Sequence, residues 1–194
     1  MWNGDKIAMH FEDFEEKTVT REDIFKGQVI DVKYDTVRLP GKTETAKREL
    51  VFHNGGVAVL AITDEQKLIL VRQFRKALEK VIYEIPAGKL EQGENSDPQA
   101  AMVRELEEET GMAAATIAKI SEFYTAPGFC NEVLHLYKAQ NLTKVDNPRP
   151  QDDDETIELH EVTLAEAKAM IKSGEIADAK TLIAIQYWEL ETHA

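Results

Sequence analysis

Arg104-Glu105-Leu106-Glu107-Glu108-Glu109-Thr110-Gly111-Met112 sets four carboxylates within five positions and closes on a glycine. On a helix, Glu105, Glu108 and Glu109 stand at i, i+3 and i+4 and share one face, while Glu107 points elsewhere. Like charges at these spacings destabilise a bare helix, and near its C-terminus the macrodipole adds to the repulsion. A divalent cation placed among them turns that cost into affinity. Carboxylate oxygens are hard donors and no His or Cys is clustered with them, so the pattern suits Mg²⁺ or Mn²⁺ rather than zinc. Stripped of its context, the same run reads as a solvated acidic helix face.

The context begins with the helix itself. Asp97-Pro98 provides an N-cap and a proline at the first helical position, Ala100, Ala101, Val103 and Leu106 give apolar spacing, and Gly111 favours a left-handed C-terminal cap. Ahead of it, Val57 to Ile62 and Lys67 to Phe74 read as strands joined in a hairpin around Asp64-Glu65-Gln66, and Val81 to Pro86 as a third strand that ends at Ala87-Gly88. Beyond it, Thr116 to Tyr124, Glu132 to Ala139 and Thr156 to Val162 read as strands. Leu164 to Lys172, stopped by Gly174, and Lys180 to Leu190 read as helices. At the start, Gln28 to Leu39 and Arg48 to His53 read as extended chain around a Pro40-Gly41 turn, in a stretch too polar to bury much alone. The elements predict an α+β or αβα sandwich over 53–194, preceded by a small β segment over 1–52 that needs a covering surface from the main domain or a partner subunit.

The chain has 194 residues, 43% of them apolar, which suits one globular domain and excludes wholesale disorder. Its 23 Lys and Arg against 36 Asp and Glu give a formal charge of −13, which disfavours binding to nucleic acid or to anionic membrane. An anionic substrate therefore needs local arginines or divalent cations. No apolar run approaches a membrane span, the N-terminal stretch lacks a basic and apolar signal, and the lone Cys130 cannot make an intrachain bridge, so a soluble, cytoplasmic protein is expected.

The acidic run, with Gly88 and Glu94 before it, resembles the signature of the Nudix hydrolases: Gly, five residues, Glu, seven residues, Arg-Glu, apolar, any, Glu-Glu, any, Gly, apolar. Gly88, Glu94, Arg104, Glu105, Leu106, Glu108, Glu109, Gly111 and Met112 fill it. The departure is a nine-residue gap between Glu94 and Arg104, with Asn95-Ser96 as a two-residue insertion ahead of Asp97-Pro98. It leaves the helix face intact and bears on Glu94 alone. From about Glu15 to the C-terminal helix the chain is also similar to the ADP-ribose pyrophosphatase branch. The similarity lies in Val71-Arg72-Gln73-Phe74-Arg75, in Glu84-Ile85-Pro86-Ala87-Gly88-Lys89-Leu90-Glu91, and in Pro127, fifteen residues after Met112.

The resemblance implies an αβα sandwich with a mixed sheet and Mg²⁺-dependent hydrolysis of ADP-ribose to AMP and ribose 5-phosphate, Mn²⁺ being able to substitute. It further implies a homodimer in which N-terminal antiparallel strands are exchanged to complete both sites. By the same resemblance Glu105, Glu108 and Glu109 hold the metal with the Ala87 carbonyl, and Arg104 orients the glutamates. Glu155, with Asp153 and Asp154 as alternatives, is the general base, while Arg75, Arg48, Glu84 and Pro127 belong to the substrate region. Glu84 either faces a ribose hydroxyl or pairs with a nearby Lys. Tyr124 and Phe129 either stack on adenine or belong to the core; His53, His135 and His160 are left unassigned. Glu109, taken as a surface carboxylate, is expected to matter for turnover and little for stability. Another nucleotide sugar, a dinucleoside polyphosphate, and a non-catalytic ADP-ribose sensor are the rival readings.

Overall fold

The computed structural model describes residues 10–91, 93–151 and 156–192. Its organising element is β4 (Gly56–Ala61), six residues that are all buried. Because successive side chains of a strand point to opposite faces, Ala58 and Leu60 enter one core with Leu136, Ala184, Ile185 and Trp188, while Val57, Val59 and Ala61 enter another with Ala101, Met102 and Leu106. A strand covered on both faces is a central strand, and helices on both sides make the αβα layering.

Around β4 runs a mixed sheet of order β7-β4-β9-β8, formed with β7 (Ala87–Lys89), β8 (Met112–Tyr124) and β9 (Val133–Lys144). β4 pairs with β9 in parallel and with β7 antiparallel. A second, antiparallel sheet has the order β10-β5-β6, from β5 (Leu68–Arg75), β6 (Lys80–Glu84) and β10 (Glu158–Val162). The hairpin expected between Val57 to Ile62 and Lys67 to Phe74 is therefore corrected. The chain does turn back there, with Thr63 N–H donating to the Lys67 carbonyl and a single bridge from Ile62 to Leu68, but the two strands then enter different sheets. Both edges of β4 are already taken by β7 and β9, and so it has no edge to offer β5.

The helix ends follow local chemistry. α1 (Pro98–Thr110) starts with the Asp97 side chain accepting from Ala100 N–H at 3.1 Å and ends at Gly111, whose φ of 68° lets its N–H reach the Glu107 carbonyl at 2.8 Å. α2 (Leu164–Ser173) opens on a reciprocal capping box between Thr163 and Glu166, and α3 (Ala179–Thr192) follows.

These elements, from Asn54 to Thr125 and from Glu132 onward, form one compact unit; the chain through His53 together with Ala126–Asn131 forms a second, smaller one. The smaller unit is an antiparallel sheet of order β1-β2-β3, from β1 (Lys17–Lys26), β2 (Ile30–Arg38) and β3 (Thr45–His53). The Ala126–Asn131 segment joins it along β3, through Val51 N–H to the Phe129 carbonyl at 2.8 Å and Asn131 N–H to the Val51 carbonyl at 3.2 Å. Extended structure thus begins well before Gln28. β1 carries no apolar alternation that would reveal it, and every one of its residues is exposed. What fixes it to β2 is a buried charge: Asp35, 1% exposed, takes both prongs of Arg21 at 2.8 and 2.7 Å and the Thr18 hydroxyl at 3.1 Å.

Candidate active site

α1 carries the acidic face into contact with the backbone of β7. Glu109 is 2% exposed, and its Oε2 accepts the Ala87 N–H at 2.9 Å. It is not the surface carboxylate that a polar run at a helix end suggests. The last turn of α1 faces the β6–β7 connection, and burial of Glu109 is matched by a backbone donor. Gly88, next along β7, lies against Glu105: a Cβ there would stand 1.8 Å from the Glu105 carboxyl carbon. Any other residue displaces that carboxylate, which gives a physical reason for glycine at this position.

Arg104 sits among the acids. Its Nη1 is 2.8 Å from both Glu105 Oε1 and Glu108 Oε2, while its Nη2 and Nε reach Glu94 at 3.1 and 3.3 Å. Burial acts to lower its pKa, but the bonds to Glu94 and Glu108 and the charge of Glu105 outweigh this and raise it. Glu94 feels the converse. Burial alone would raise its pKa, but the Arg104 pair and the Glu91 N–H hold it below the usual carboxylate range. The two inserted residues are absorbed in a short 3₁₀ turn, Glu94–Ser96, and the Glu94 side chain still reaches Arg104.

On the substrate side, Glu84 is 3% exposed and holds two cations, Arg75 Nε at 2.7 Å and Lys180 Nζ at 2.9 Å. The lysine named as one alternative partner for Glu84 is Lys180. Lys180 lies 96 positions away on α3, which no local pattern could reveal. Arg48 and Pro127 belong to the smaller unit. Arg48 donates to Glu16 through Nε at 2.8 Å and through Nη2, and Pro127 is exposed at the second position of a turn closed by Phe129 N–H to the Ala126 carbonyl. Tyr124 and Phe129 are 61% and 55% exposed, which removes the core reading for both. His135 lies 3.4 Å from Glu122, and His160 packs edge-on against Tyr83. Asp153, Asp154 and Glu155 lie outside the described residues.

Sequence reasoning also missed how the chain leading to that acidic segment is held. Arg149 N–H donates to Glu107 Oε1 at 3.0 Å, and Gln151 Nε2 donates to the Glu109 carbonyl at 3.4 Å. The carboxylate that points away from the acidic face is the one that secures this stretch.

Among the described residues no three His, Cys, Asp or Glu side chains already converge as a closed metal cage, Arg104 being interposed between Glu105 and Glu108. The donors nonetheless fit a hard divalent cation in kind: they are all carboxylates, they lie on one helical face, and a glycine backbone admits Glu105 closely. The αβα layers, the acidic α1 and the glycine beside it define the class.

Residues 52–184 match the family model described as NUDIX domain. A Bacillus subtilis (strain 168) protein named ADP-ribose pyrophosphatase is 51% identical over 177 residues, 91% of this chain and 94% of that one. A Bacillus methanolicus protein named methanol dehydrogenase activator is also 51% identical, over 178 residues, 92% of this chain and 95% of that one. A solved structure described as an ADP compounds hydrolase superposes with a TM-score of 0.76 at 18% identity, covering 92% of this chain and 96% of its own, which shows the shared fold. The chain belongs to the NUDIX family, whose hydrolases act on diphosphate bonds and generally use a divalent metal. No described helix is long and apolar enough to cross a membrane.

Proposed function

We propose that this chain hydrolyses ADP-ribose to AMP and ribose 5-phosphate with Mg²⁺, or Mn²⁺ in its place. The observation that carries the reading is the face of Glu105, Glu108 and Glu109, set against Gly88 and Ala87 and laced by Arg104. The identity shared with the ADP-ribose pyrophosphatase supports the choice of substrate.

The three glutamates, with the Ala87 carbonyl, would hold the ion. When bound, it offsets the charge of a diphosphate and makes a water easier to deprotonate. Glu155 takes the proton from the attacking water, and Arg104 keeps Glu105 and Glu108 in register. Arg75, 39% exposed, supplies positive charge to the diphosphate in a protein whose net charge is −13, and Arg48 adds to it from the partner subunit of the dimer. Glu84 fixes Arg75, and the Pro127 turn borders the substrate.

The chain acts as a cytoplasmic homodimer in this reading, with β1 as the joining element: Val19, Ile24 and Phe25 are 49%, 60% and 56% exposed along it. Sedimentation at micromolar concentration should show the dimer; a monomer would remove both the dimer and the shared role of Arg48.

The deciding assay is AMP release from ADP-ribose with Mg²⁺, beside an EDTA control and Glu109→Gln. AMP that needs metal and vanishes in the variant supports the reading. Binding without AMP favours the sensor, and no binding moves the substrate to another nucleotide sugar or a dinucleoside polyphosphate. A second reading, activation of a methanol dehydrogenase, is favoured by the equal identity to the Bacillus methanolicus protein. Stimulation of that dehydrogenase by the wild type and not by Glu109→Gln would join the two readings.

A further inference from the structure

Both oxygens of the buried Glu84 are occupied, Oε1 by Lys180 Nζ at 2.9 Å and Oε2 by Arg75 Nε at 2.7 Å. Lys180 stands in the first turn of α3, where Asp178 Oδ1 holds it at 3.0 Å and also accepts the Thr181 N–H at 3.2 Å. The Thr181 hydroxyl in turn accepts the Ile85 N–H at 3.0 Å, so the start of α3 grips Glu84-Ile85 at two points. A carboxylate with both oxygens free takes a guanidinium by two parallel bonds. Here Lys180 leaves one oxygen, Glu84 engages Arg75 through Nε alone, and neither terminal nitrogen of Arg75 is bonded to a described residue.

We propose that Lys180 is a positioning residue: by occupying Glu84 Oε1 it prevents a two-pronged Glu84–Arg75 pair and keeps the outer edge of the Arg75 guanidinium for a nucleoside diphosphate. This rests on the reading that Arg75 meets the diphosphate. Without Lys180, the freed oxygen turns to Arg75 and competes with the ligand for its terminal N–H groups.

The test is a double-mutant cycle on full-length protein with Lys180→Met and Arg75→Ala, read as ADP affinity by calorimetry with Mg²⁺ and as KM and kcat for ADP-ribose. Lys180→Met should weaken ADP binding and raise KM about tenfold with kcat within about twofold, as expected for loss of one charge-assisted bond. Combined with Arg75→Ala it should add nothing, and Lys180→Arg should restore binding. Additive losses, or unchanged ADP affinity in Lys180→Met, overturn the proposal. If Lys180→Met folds poorly, Lys180→Gln enters the cycle under the same criteria. Wild-type protein that binds ADP yet releases no AMP from ADP-ribose refutes the hydrolytic reading alone, and the cycle still decides on Lys180. Wild-type protein that binds no ADP overturns both.

Discussion

Glu94 and Arg104 meet across a loop two residues longer than the family pattern, with Nη2 3.1 Å from Oε2. The contact joins the loop before α1 to the middle of the helix, and the same guanidinium continues to Glu105 and Glu108. One cation thus organises three acids. Its removal leaves half-buried carboxylates facing one another, so Arg104→Met should cost about 2 kcal/mol of stability in urea unfolding. Millimolar Mg²⁺ should return part of that loss, because the ion can take over the charge that Arg104 supplied. A variant as stable as wild type without metal would contradict this account.

Gly88→Ala tests geometry rather than charge. The added methyl meets the end of a flexible side chain, so the fold should survive with a melting temperature lower by a few degrees. Glu105 must move by more than an ångström, and displacement on that scale should reduce kcat about a hundredfold. Circular dichroism beside AMP release separates the two effects.

Glu109 calls for two substitutions. Glu109→Gln keeps an oxygen for the Ala87 N–H and should lose activity with a small change in stability. Glu109→Ala leaves that donor without its acceptor and should cost about 1–3 kcal/mol as well. Equal stability of the two variants would show that the bond to Ala87 carries nothing.

Asp35 gives a pH dependence in the smaller unit. The Arg21 fork, against the opposing effect of burial and with help from Thr18, holds its pKa below the ordinary 3.8. The folded state therefore binds a proton less readily than the unfolded chain. Its stabilisation is complete well above that value and is lost as pH falls through the lower folded-state value. Asp35→Asn should be less stable than wild type at pH 7, and the difference should narrow only below about pH 4. A gap that is constant from pH 7 to pH 3 would rule out this linkage.

What could be read in the sequence was what short-range physics decides. The ends of α1 follow from Asp97, Pro98 and Gly111, and the common face of Glu105, Glu108 and Glu109 follows from helical spacing. The αβα layering follows from the order of strands and helices. Three features escaped because their causes lie far along the chain. β1 is held by the exposed Arg21 gripping the buried Asp35 of β2 rather than by apolar alternation. β4 and β5 part company because strands from elsewhere occupy both edges of β4. Glu109 looks solvated in a run of acids but is buried, with its carboxylate bonded to the backbone of β7, which comes from earlier in the chain.

The parallel ladder between β4 and β9 has a bearing on how the protein is made. In this ladder Gly56 pairs with Leu134, which emerges after the whole of α1 and β8 have been synthesised. A central pairing of such long range forms late and slowly. The acidic helix therefore leaves the ribosome ahead of the strand that completes its sheet, and for that interval its apolar side, Ala101, Met102 and Leu106, lacks part of its cover. Chains arrested between α1 and β9 should be held by chaperones and be sensitive to protease, and that sensitivity should fall once residues through Ala139 have emerged.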